Sequence, residues 1–108
     1  MISEKTIREA VDRLVAVAKP IKVILFGSYA TGKATDDSDL DFMVIQPTES
    51  GVEGDRVILR DAVGDVGAGV DVLVFSEEET CRRGQVPGTL IYWALKEGRV
   101  MYEASSHG

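Results

Sequence analysis

Two apolar runs, Lys22-Val23-Ile24-Leu25-Phe26 and Leu40 to Ile45, are joined by a polar segment that opens on Gly27-Ser28 and closes on Asp39-Leu40-Asp41. This join constrains the fold more than any other feature of the chain. Short runs rich in Val, Ile and Phe read as buried strands. Gly27 breaks the first run and Pro47 closes the second. Side chains alternate faces along a strand, so Asp39 and Asp41 share one side and Leu40 takes the other. A third aspartate, Asp71, opens the apolar run Val70-Asp71-Val72-Leu73-Val74-Phe75. Three carboxylates thus stand at strand starts, beside a glycine turn.

The segments around these runs carry helical spacing. Ser3 reads as an N-cap with Glu4 in the first turn, and Ile7, Ala10, Val11, Leu14, Val15 and Ala18 recur on one face until Pro20. Ser28 to Lys33 fits a short helical turn. Ser50 with Glu53 resembles a capping box, ahead of an amphipathic helix carrying Val57, Ile58, Leu59, Ala62, Val63 and Val66 and stopped by Gly67 and Gly69. Ser76 with Glu79 repeats the box and starts a short helix through about Arg83. Pro87 is read as opening a last helix, with Leu90, Ile91, Ala94 and Leu95 apolar, stopped by Gly98. Val100-Met101-Tyr102 is a final short strand. Strands and helices in this order define a small α/β domain with helices packed on a short sheet. Tyr92 and Trp93 read as core or partner-helix packing, Glu77-Glu78-Glu79 as a charged helix start, and Arg82-Arg83 as a solvated helix end.

Composition narrows the function classes. The chain has 108 residues, enough for one domain, and a formal net charge of -6. An acidic surface repels phosphate backbones, so direct DNA or RNA binding is not expected. The single cysteine, Cys81, excludes an intrachain disulfide, and the single histidine, His107, sits in the polar tail Ser105-Ser106-His107-Gly108. No apolar run approaches membrane-spanning length and no signal pattern opens the chain. A cytoplasmic protein is expected.

The carboxylates suggest the chemistry. Two aspartates on one strand face repel each other unless a cation lies between them. A hard divalent ion with oxygen ligands fits, and Mg²⁺ in particular keeps waters and accepts substrate phosphates. If the Asp71 strand neighbours the Asp39–Asp41 strand, the three converge. A pair of ions could then clamp an in-line displacement at phosphorus. Gly27 lets the backbone approach a phosphate closely. Ser28 adds a hydroxyl and an N–H, and a following helical turn would favour an anion. Each feature alone has a plain structural explanation, a wet strand edge or a common turn. Their joint arrangement is what points to a site.

Gly27-Ser28, ten residues, then Asp39-Leu40-Asp41 resembles the signature of the DNA polymerase β-like nucleotidyltransferase superfamily. The short chain, with Gly32-Lys33-Ala34 and Ser38-Asp39 flanking the signature, looks like the minimal nucleotidyltransferase branch. The resemblance runs from the leading helix to the Gly98–Glu103 strand. It implies a nucleotidyltransferase fold over residues 1–104, a short mixed sheet with helices against it, and a C-terminal tail at 105–108. It also implies that Asp39, Asp41 and Asp71 ligate Mg²⁺, two ions in all. Asp71 would help to activate an acceptor hydroxyl, while Gly27 and Ser28 hold the triphosphate of ATP. The family often has an arginine where this chain has Thr31; Lys33 is the nearby cation.

The family moves a nucleoside monophosphate from NTP to a hydroxyl. Members acting on antibiotics or RNA carry a second domain for the acceptor, so a bare domain of this length is expected to find its acceptor on another protein. Minimal nucleotidyltransferases of this kind are antitoxins that transfer AMP to a tyrosine of a HEPN-domain ribonuclease toxin. The resemblance therefore implies an Mg²⁺-dependent protein adenylyltransferase antitoxin. Two alternatives stand beside it. One is a non-catalytic antitoxin that neutralises its partner by complex formation. The other is nucleotidyl transfer to a small molecule with a separate acceptor-binding subunit.

Overall fold

A computed structural model describes residues 2–47 and 56–104. In chain order the elements are α1 (Glu4–Ala18), β1 (Lys22–Phe26), α2 (Ser28–Thr31), β2 (Leu40–Gln46), α3 (Arg56–Val63), β3 (Val70–Ser76), α4 (Glu77–Arg83), α5 (Leu90–Glu97) and β4 (Arg99–Glu103). The strands form one mixed sheet of order β3-β2-β1-β4. β1 runs antiparallel to β2 and to β4, and β3 runs parallel to β2. The parallel pair follows from the helical crossover α3, since parallel neighbours need a long connection. This is the small α/β architecture that the strand and helix order requires.

Alternation on the strands divides the core into two faces. Val23, Leu25, Leu40, Phe42, Val44 and Val72 point to one face, where Ile7, Ala10, Val11, Leu14 and Ala18 of α1 and Leu59 and Val63 of α3 cover them. Each Val, Leu, Ile or Phe among them contributes about 1.5–3 kcal/mol by leaving water. Ile24, Met43 and Ile45 point to the other face, where Ile91 and Ala94 of α5 meet them. That second face keeps a cavity of about 390 Å³ among Ile21, Ile45, Thr80, Cys81 and Leu95.

Local chemistry sets most helix boundaries. Ser3 caps α1 by accepting from the Thr6 N–H at 3.2 Å. Lys19, in the left-handed region at φ 49°, turns the chain out of α1 before Pro20. Ser76 caps α4 by accepting from Glu79 N–H at 3.1 Å, the expected box position. Glu79 itself pairs with Arg83 and Glu78 with Arg82, so both arginines serve the helix surface.

Two boundaries differ from the sequence reading. Helix α3 stops at Val63, not near Val66, because Gly64 takes φ +76° and Arg13 donates to the terminal Val63 carbonyl at 2.7 Å. A left-handed glycine ends a helix without a steric cost. Helix α5 opens after Thr89, not at Pro87. The Thr89 hydroxyl accepts from Tyr92 N–H at 3.1 Å, and Pro87 belongs to the turn before it. Trp93 is 47% exposed and thus not core; its ring meets Tyr92 edge-on, with the Lys96 ammonium over both rings. The Ser50–Glu53 box and the tail with His107 lie outside the described residues.

Candidate active site

Topology gathers the site at one end of the sheet. β1 is antiparallel to β2, so the end of β1 lies beside the start of β2: Phe26 pairs with Asp41. β3 is parallel to β2, so both start together: Asp41 pairs with Asp71. Gly27, Asp39, Asp41 and Asp71 therefore meet at the same sheet end, with neighbouring strands about 4.8 Å apart. The sequence left the pairing of the Asp71 strand open, and the register settles that the two strands are neighbours.

The faces agree as well. Asp41 alternates with Phe42, so it lies on the side of Met43 and Ile45, the more thinly covered face. Asp71 shares that side with Phe75. The Asp41 carboxyl pKa is raised from its ordinary value, first by burial, then by the charge of Asp71, then by that of Asp39. Asp39 and Asp71 are exposed and Asp41 half-buried. One partly desolvated carboxylate thus feels the charge of two wetter ones.

Two glycines make room for this cluster. Gly27 has φ 76° and ψ -156°, a conformation essentially reserved for glycine. A β-carbon there would collide with Asp41 Oδ2. At Gly69 a β-carbon would lie 2.5 Å from Asp39 Oδ1. The Gly69 carbonyl also accepts from Leu40 N–H at 2.9 Å, which pins the entry to β2 against that to β3. Sequence reasoning took Gly69 only as a helix stop. Its position two residues before Asp71 was the available signal.

After Gly27 the chain makes one helical turn. Ala30 and Thr31 N–H both donate to the Gly27 carbonyl, and Lys33 N–H donates to that of Ser28. A single turn carries little macrodipole, so its capacity for an anion rests on the first N–H groups, those of Ser28 and Tyr29. The Thr31 hydroxyl is turned inward, 3.4 Å from both the Gly27 and Ser28 carbonyls. Tyr29 Oη accepts from Ile2 N–H at 3.1 Å and fastens the turn to the N-terminal segment.

Among the described residues, no three carboxylate, histidine or cysteine groups are already drawn together as a cation cage. The aspartates influence one another electrostatically but stand apart, as like charges do. The donors are all hard oxygens in an open arrangement, which fits an ion that retains waters and substrate oxygens rather than one enclosed by protein. On the far side of Asp71, Arg56 and Arg60 of α3 line a cleft with it. Sequence reasoning singled out neither arginine, although their spacing of four places them on one helix face.

Comparison with known proteins agrees with this geometry. The model of the family described as "Nucleotidyltransferase domain" matches residues 4–100. The chain is 33% identical to "Putative protein adenylyltransferase MJ0604" of Methanocaldococcus jannaschii, over 94% of this chain and 100% of that protein. Its fold is similar to that in "Crystal structure of the toxin-antitoxin with AMP-PNP", with a TM-score of 0.62 and 19% identity over 90% of this chain and 73% of the other. It is also similar to a "putative nucleotidyltransferase" from Sulfolobus solfataricus, with a TM-score of 0.52 and 24% identity over 92% of this chain and 78% of the other. The chain belongs to the nucleotidyltransferase domain family.

Proposed function

We propose that the protein transfers AMP from ATP to a hydroxyl of a partner protein, a tyrosine of a HEPN-domain toxin, and so acts as the antitoxin. The observation that carries this reading is the register pairing of Asp41 with Asp71, with Gly27 closed against Asp41. The adenylyltransferase name of the archaeal relative and the toxin–antitoxin complex with an ATP analogue support it.

In this reading the Ser28 and Tyr29 N–H groups and the Ser28 hydroxyl hold the triphosphate. Asp39, Asp41 and Asp71 hold Mg²⁺, two ions in all, which when bound would offset charge at the α-phosphate and lower the pKa of the acceptor hydroxyl. Asp71, exposed on the edge strand β3, faces the incoming acceptor, and its carboxylate oxygens help to take up the hydroxyl proton. The rigid sheet end supplies orientation, which together with electrostatic stabilisation is nearly all that a protein must add to phosphoryl chemistry.

The test is incubation with α-labelled ATP, Mg²⁺ and the product of the adjacent gene. Label on a tyrosine of that product is expected with ATP. It should fall at least about 100-fold for Asp39→Asn with Asp41→Asn, the scale of removing electrostatic stabilisation. Label from none of the four NTPs would overturn the reading. Full neutralisation of the partner by the double variant would replace it with binding alone.

A further inference from the structure

Beside Asp71 the sheet ends in a cleft of about 210 Å³ lined by Arg56, Val57, Arg60, Asp71 and Val72. Its position across the sheet gives it meaning. The strand order β3-β2-β1-β4 puts the Gly27–Ser28 turn at the end of β1 and Asp71 on the edge strand β3, and Arg56 reaches that edge through the Val72 carbonyl. With roughly 4.8 Å between strands, the end of β1 and the start of β3 lie about two strand spacings apart. A triphosphate held at the turn leaves the cleft beside the third carboxylate, where an acceptor must arrive.

The cleft is built rather than incidental. β3 is an edge strand, and Arg56 Nε donates to the Val72 carbonyl on it at 3.0 Å. That bond fixes one guanidinium at the cleft, and its other N–H groups make no further hydrogen bond among the described residues. Arg60, one turn on, has no carboxylate partner among the described residues, whereas Arg82, Arg83, Arg8 and Arg99 all pair with glutamates. Val57, 58% exposed, lines the same cleft and adds an apolar wall beside them. Two guanidiniums a helical turn apart beside an apolar surface match an anionic group with an apolar neighbour.

We infer that Arg56 and Arg60 form an acceptor-side subsite that takes a carboxylate-bearing segment of the acceptor protein next to its reacting hydroxyl. The inference rests on the nucleotidyl-transfer reading above and adds the acceptor's local chemistry to it. A carboxylate on the acceptor is favoured over a nucleic acid phosphate chain. The net charge of -6 repels a polyanion along its length, while one or two carboxylates meet only the local pair.

The probes are two fluorescein-labelled peptides, Glu-Glu-Tyr-Glu-Glu and Gln-Gln-Tyr-Gln-Gln, titrated by anisotropy into the whole chain. Each titration is run with and without AMP-PNP and Mg²⁺. The acidic peptide should bind about ten- to a hundredfold tighter, the range for charge-assisted hydrogen bonds. Arg60→Gln should erase most of that preference, Arg60→Lys keep part of it, and Arg60→Glu reverse it so that the neutral peptide binds tighter than the acidic one. A merely structural role for Arg60 would not produce a reversal. Equal binding of the two peptides, or a preference unchanged in Arg60→Gln and Arg56→Gln, overturns the subsite. Tighter Arg60-dependent capture of a 5′-phosphorylated RNA oligomer than of the acidic peptide also overturns it. AMP-PNP binding with Mg²⁺ is measured separately by calorimetry. Its absence would sink the transferase reading, whereas nucleotide binding without peptide preference sinks only the subsite.

Discussion

The two faces of the sheet do different work. The face under α1 and α3 is sealed by a continuous set of buried side chains, with Leu14, Leu25, Leu40, Phe42 and Leu59 all at 0% exposure. The face under α4 and α5 buries the smaller set Ile24, Met43, Ile45, Ile91 and Ala94 among the described hydrophobic residues, keeps a cavity at the Lys22–Ile45 end, and carries Asp41 at the other end. Three carboxylates cannot be sealed in a dry core, because unpaired buried charge is too costly. The sealed face therefore supplies the rigidity and the thinner face the access. The same strand serves both, since Phe42 and Asp41 are neighbours pointing opposite ways.

The largest effect should come from breaking the sealed face. Phe42→Ala removes a ring from the middle of β2 and should cost about 3–5 kcal/mol, whereas Ile91→Ala on the thinner face should cost near the lower end of about 2–5 kcal/mol. Urea unfolding of both variants checks the order. An equal or larger loss for Ile91→Ala would erase the distinction between the faces.

A smaller effect should follow from crowding the open end. Gly69→Ala places a β-carbon 2.5 Å from Asp39 Oδ1, so the carboxylate or the β2 entry must shift. The fold should survive, because Gly69 has an ordinary backbone conformation and is exposed. The rise in melting temperature on adding Mg²⁺ with ATP should shrink, since ligand stabilisation scales with affinity for the native state. An undiminished rise would show that Asp39 placement does not matter for binding.

The smallest effect concerns charge alone. The folded state raises the Asp41 pKa above its unfolded value, so the ionised carboxylate opposes folding. In metal-free buffer at pH 7, Asp41→Asn should be slightly more stable than the parent, by less than about 1 kcal/mol given the site's partial exposure. The gap should close as pH falls through the raised Asp41 pKa, and be gone below the unfolded value of about 3.9. Chemical denaturation across that range decides it. A parent more stable than Asp41→Asn at pH 7 would mean that the ionised carboxylate has a favourable partner.

Much of this was readable from residues. Short length, β-branched content and flanking Gly or Pro located the described strands, since continuous runs such as Val23-Ile24-Leu25 and Phe42-Met43-Val44-Ile45 show no periodicity of their own. The caps at Ser3 and Ser76 were equally legible, since a side-chain oxygen three residues before a free N–H is a local event. The end of α3 and the start of α5 were misplaced. There a left-handed Gly64, the Arg13 contact and the Thr89 hydroxyl won over the apolar pattern.

By itself the sequence determined the residue types at the site and that Asp41 and Phe42 point to opposite faces of their strand, because alternation and glycine turns act over a few residues. Asp39, expected on the same face as Asp41, precedes β2, which begins at Leu40. Only the tertiary structure decided that β3 lies parallel beside β2, that Gly27 and Gly69 seat two of the aspartates, and that Arg56 and Arg60 border the third. Those are contacts between segments far apart in the chain, and strand order and burial, not local preference, set them.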